Sequence, residues 1–122
     1  MKIKVADEVW IGAALLHSEH PEEGSFSQSE IIDRIAKENL YGSMRPGVFI
    51  HASMHCVANK KPNPGNYRML YATEDSKRRL FRKGDDYHPW REGGKMTPNK
   101  EEIPSEYHYL LDWWENKYCR GD

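Results

Sequence analysis

The sequence predicts one α+β domain: three helices, a β-hairpin, and a further helix at the end. Three observations predict it. Residues 27–30 spell a helix start signal, Ser27-Gln28-Ser29-Glu30, ahead of an apolar run. Two runs of strand character, Tyr67-Arg68-Met69-Leu70-Tyr71-Ala72 and Lys77-Arg78-Arg79-Leu80-Phe81-Arg82, flank a turn at Thr73-Glu74-Asp75-Ser76. Tyr107, Leu110, Leu111, Trp114 and Tyr118 then recur at helical spacing near the end. A chain of 122 residues fits one core and not two. Charged residues make up 30%, yet four Trp, seven Tyr and three Phe argue against disorder.

The first helix is expected over residues 5–17, where Val5, Val9, Gly12, Ala13 and Leu16 form one stripe. Trp10, Ile11 and Ala14 widen that stripe, so this helix is expected at the centre. His20-Pro21-Glu22-Glu23-Gly24 ends it. In the second helix Ser27 caps the amide of Glu30, and Phe26 and Ile31 stand at the spacing of a hydrophobic staple. Ile31, Ile32, Ile35 and Leu40 supply its buried side before Tyr41-Gly42-Ser43 breaks it. A third helix is expected over residues 46–61, opened by Pro46 and closed before Pro62. Ile50, Met54, Val57 and Ala58 would face inward there, with His51, His55 and Asn59 as a polar stripe on a neighbouring face. Residues 84–103, rich in Gly, Pro, Asp and Asn, read as an irregular connection to a last helix at 104–119.

The net charge of −1 conceals an asymmetry. Residues 45–95 hold 11 Lys and Arg against 5 Asp and Glu, and the remainder holds 7 against 14. A basic segment between acidic ones is the electrostatic footprint expected for a polyanion partner. Cys56 and Cys119 have no metal-type spacing and read as two reduced thiols. No segment approaches the ~20 apolar residues of a membrane span, and no secretion signal is legible. The expected setting is therefore cytoplasmic.

A helix with hydrogen-bonding side chains before an arginine-rich ribbon suits duplex nucleic acid, the helix in a major groove and the ribbon on flanking phosphates. The order of elements over residues 4–83 resembles the winged helix-turn-helix family. Helices two and three would be joined through Asn39-Leu40-Tyr41-Gly42-Ser43-Met44-Arg45, and residues 67–82 would be the wing. The strings His55-Cys56-Val57-Ala58-Asn59 and Tyr67-Arg68-Met69-Leu70-Tyr71 also resemble a small group of prokaryotic proteins without an assigned activity. The winged-helix resemblance implies double-stranded DNA binding, as a transcriptional regulator or a DNA-targeting accessory protein. It implies groove or phosphate contacts from His51, Ser53, His55, Asn59, Lys60 and Lys61, and wing contacts from Arg68, Lys77, Arg78, Arg79 and Arg82. The expected recognition helix contains no arginine, and Arg45 at its start partly compensates.

Other readings accompany this one. His51 and His55, four apart, suit packing, nucleic-acid contact, or two of a metal's ligands. The last helix suits either core packing or the seam of a homodimer. A winged-helix subunit that binds protein in a larger complex is the main alternative function. A metal-dependent nuclease using Asp85, Asp86, Glu92 and Lys95 is a weaker one, because their spacing makes no recognised cage. No catalytic residue and no cofactor is expected.

Overall fold

The computed structural model of the protein describes residues 2–62 and 65–121. Helix α1, Val5–Glu19, is the axis of the fold because its side chains are apolar or small nearly all round. Every residue from Ala6 to His17 is buried, which requires neighbours on all sides. Helix α2, Gln28–Glu38, crosses it where Gly12 removes a side chain. A Cβ there would stand 2.4 Å from Ile35 Cγ1, so only glycine permits that approach. The capping box of α2 is present in both directions, Ser27 with Glu30. Asn39 ends the helix in the left-handed region, which asparagine tolerates. Arg34 then ties α2 to α1, its guanidinium gripping Glu19 at 2.6 Å.

The third helix, α3, departs from expectation in length and in phase. It runs as an α-helix over Gly47–Ile50, widens into a π-turn at His51–His55, and stops at Cys56. The expected helix at 46–61 ends early because its backbone groups turn to the hairpin, with Val57 bridged in parallel to Leu70. Leu70 N–H donates to the Cys56 carbonyl at 2.8 Å, and Ala58 N–H to the Leu70 carbonyl at 2.8 Å. The buried face also departs from expectation at the start of the helix, where Val48 begins it and Ala52 continues it. Val48, Ala52, Cys56, Val57 and Ala58 point inward, while Ile50, expected inside, is exposed and Met54 half-buried.

The hairpin forms as strands β1, Leu70–Ala72, and β2, Arg78–Leu80, antiparallel with Leu70 opposite Leu80. Each strand is shorter than its expected run. Phe26 adds a third row by exchanging two 2.8 Å backbone bonds with Arg78. The lateral order is therefore Phe26, β2, β1. Asn59 fastens the far side: its amide donates to the Ala72 carbonyl at 2.9 Å and accepts from the Ala72 N–H at 2.8 Å.

Residues 84–103 are irregular apart from short 3-10 turns at Pro89–Arg91 and Lys100–Glu102. The last helical stretch is segmented into a 3-10 turn, helix α4 at His108–Asn116, and another 3-10 turn at Tyr118–Arg120. Its apolar stripe belongs to the domain's own core. Tyr107, Leu110, Trp114 and Tyr118 are buried, with Trp114 donating to the Phe81 carbonyl at 2.8 Å and Tyr118 to the Leu80 carbonyl at 2.7 Å. That stripe is not exposed as a dimer seam. No described helix is long and apolar enough to cross a membrane.

Candidate functional site

The end of α3 poses a physical problem that two arginines solve. The last carbonyls of a helix have no partners within it, and here they are turned into the protein. Arg91, fully buried, donates to Met54 and His55 carbonyls at 2.8 Å each, and to Tyr67 and Lys60 carbonyls at 2.7 Å each. Arg78, also buried, donates to the carbonyls of Ala52 at 3.1 Å and Ser53 at 3.3 Å. Its remaining nitrogen reaches the Ser76 and Lys77 carbonyls at 3.3 and 3.0 Å, which binds the hairpin turn to α3. Two cations thus sit at the negative end of the helix. Burial pulls both guanidiniums below the usual arginine value. Neither bonds a carboxylate among the described residues; both hold backbone carbonyls.

The other arginines of the basic segment are engaged as well. Arg79 forms a two-pronged pair with Asp85 at 2.8 and 3.0 Å and lies over the Tyr71 ring. Arg82 donates from Nε to the Tyr118 carbonyl at 3.0 Å and lies over the Tyr118 ring. Arg68 donates to the Gly94 carbonyl at 2.9 Å and covers Tyr87. Arg45 pairs with the buried carboxylate of Glu8 at 2.8 Å beneath the Tyr41 ring. Among the expected contact residues, Lys60 and Lys61 are exposed and Lys77 is half-buried, none with a described ion-pair partner. Lys61 lies over the exposed ring of Trp90, 4.8 Å from its centroid.

The polar stripe of α3 turns largely to the protein itself. His51 Nδ1 shares a 2.9 Å bond with the Gly47 carbonyl, and its ring meets His55 edge-on at 5.0 Å. Burial holds His51 below the ordinary imidazole value. His55 packs against Gly65, Ser53 hydroxyl turns back to the Ile50 carbonyl, and Asn59 is bound to Ala72. The described residues contain no group of three His, Cys, Asp or Glu that could hold a metal. The carboxylates considered for a nuclease part company: Asp85 takes Arg79, Asp86 accepts from Tyr71, and Glu92 accepts from Tyr87 at 2.6 Å. Lys95 faces Glu102 at 3.5 Å.

The most exposed side chains of α3 are apolar, while His51, Ser53 and His55 stay half-buried. Phe49 is 52% and Ile50 40% exposed, with exposed Tyr41 and Met44 in the segment leading to them. Farther along, Met54, Lys61, Pro62 and Trp90 line an open groove of about 490 Å³. Trp90 is 64% exposed, and its backbone N–H donates to His88 Nδ1 at 3.1 Å. The hairpin tip carries exposed Glu74 and Asp75. Comparison of the chain with protein-family models, with curated proteins and with solved structures finds no match.

The arginine at position 91 drew no attention in the sequence, because nothing local marks a loop arginine as a helix-end cation. The Phe49–Ile50 pair is hidden because Val48 and Ile50 are both branched aliphatic residues, and residue type does not show that Val48 begins the buried stripe.

Proposed function

We propose that the chain is a winged-helix-type module whose third helix docks a protein partner. The winged-helix reading is supported by the order of helices before the hairpin and by the row of Phe26 beside β2 and β1. The observation that carries the partner reading is the exposed pair Phe49 and Ile50 on α3, flanked by Tyr41 and Met44. Clustered aromatic and aliphatic side chains are how protein interfaces gain most of their affinity. A groove-reading helix would instead present hydrogen-bonding groups to base edges. The acidic hairpin tip, bound beside α3 through Arg78, favours a partner with an apolar centre and a basic rim, and disfavours phosphate.

Duplex DNA is the competing reading, and Lys60, Lys61 and Lys77 are the cations it would use. The test pairs two surface variants with recombinant reconstitution of whatever protein the immobilised chain retains. Phe49→Asp with Ile50→Asp leaves the core untouched and should weaken a reconstituted partner by about 100-fold, since hot-spot residues each contribute ~2 kcal/mol or more. Lys60→Ala with Lys61→Ala should change that affinity little. Equal binding by the aspartate variant overturns the proposal. So does tight duplex binding that the lysine variant loses and the aspartate variant keeps.

A further inference from the structure

At the end of α1 remote from α3, roughly 18 Å along the helix from Val5, lies a cavity of about 120 Å³. His17, Arg82, Trp113 and Tyr118 line it, with Glu23 beside them. Two of these groups offer hydrogen-bond donors that the described protein leaves without acceptors.

His17 is buried, and its Nε2 accepts the Leu80 N–H at 3.2 Å. Burial, with Arg82 and Arg79 close by, lowers its pKa to about 3. A neutral imidazole that accepts at Nε2 carries its proton on Nδ1. That Nδ1–H meets no described acceptor and is not sealed from solvent. Arg82 is fixed by one nitrogen, Nε to the Tyr118 carbonyl, with its Cζ over the Tyr118 ring, 4.2 Å from the centroid. Its two Nη groups take no acceptor among the described residues. Trp113 and Tyr118, with ring centroids 5.3 Å apart, supply an apolar wall.

A planar guanidinium held by Nε and stacked on a ring keeps its outer donors in the geometry that matches a carboxylate. At roughly 30 Å³ of liquid volume per water, the cavity holds on the order of four water-sized groups, which seats acetate whole and the carboxylate end of benzoate. Glu23 adds a negative charge that repels a dianion more than a monoanion. We propose that this cavity binds a small monocarboxylate, its oxygens on Arg82 and the His17 Nδ1–H and its body against Trp113 and Tyr118. This site is independent of the surface proposed for the protein partner.

The test is a titration of the whole chain at neutral pH and constant ionic strength, followed by ¹H–¹⁵N spectra. Acetate, benzoate, phosphate and sulfate are the probes. Benzoate and acetate should move the Trp113 indole and Arg82 Nε–H signals to saturation in the millimolar range, a strength suited to so few atoms. The Trp90 indole should stay still. Arg82→Gln should weaken benzoate at least about tenfold, the loss expected for a charge-assisted pair. Glu23→Gln should raise phosphate binding relative to benzoate. Linear, unsaturating shifts, equal movement of Trp90, or phosphate bound as well as benzoate would overturn the proposal. If Arg82→Gln loses its native spectrum, the wild-type comparison of anions still decides.

Discussion

Replacement of Arg91 by alanine is expected to lower the unfolding free energy by about 3–5 kcal/mol, since it strips buried carbonyls of a donor at ~1–3 kcal/mol each, partly offset by relaxation. One side chain satisfies four carbonyls from three separate stretches: the end of α3, Lys60, and Tyr67. Its removal leaves those acceptors inside a protein and opens a cavity the size of a guanidinium. Since domains of this size are held by roughly 5–15 kcal/mol, a loss of this scale consumes a large share of the total. Urea unfolding followed by tryptophan emission measures it, provided the slope of the transition is unchanged. Arg91→Lys should recover only part of the loss, because an ammonium has three donors and no planar fork. A change below about 1 kcal/mol would mean that water, not the guanidinium, satisfies these carbonyls.

The second large effect separates two adjacent arginines that look alike in sequence. Arg78→Ala should cost about 3 kcal/mol, because Arg78 is buried and its bonds hold both the end of α3 and the hairpin turn. Arg79→Ala should cost about 1 kcal/mol, since its pair with Asp85 keeps partial contact with solvent. The two variants are compared by the same unfolding measurement. The reverse ranking would show that the hairpin is held to α3 by something other than Arg78.

Much of the chain's architecture was legible where the signals were local. The capping box of α2 stands where Ser27 and Glu30 placed it, and the apolar circumference of α1 announced a buried axis. The hairpin turn was also read at its observed position. The third helix failed because a π-turn has no mark in residue spacing read at the α-helical period. The pairing of Cys56 and Ala58 with Leu70 is a demand of the hairpin, which the helix pattern cannot report. The charge run concealed a difference in burial. Arg78 and Leu80 are two apart in β2 and share its inner face, so the alternation carried the clue, whereas counting cations treated 78 and 79 as equal. Arg91 and the His17–Arg82 cavity depend on contacts between distant stretches, and no window of sequence contains them.

The central assertion is that the guanidiniums of Arg45, Arg68, Arg78, Arg79 and Arg91 serve the protein itself, leaving the lysines as the cations that meet a polyanion. Duplex affinity as a function of salt measures this directly. With Lys60, Lys61 and Lys77 alone available, the log–log slope should be no steeper than about 3, with weak binding lost near physiological salt. A slope of about 6 or more, flattened by Arg68→Ala and Arg79→Ala, would place those guanidiniums on phosphate and contradict the assertion.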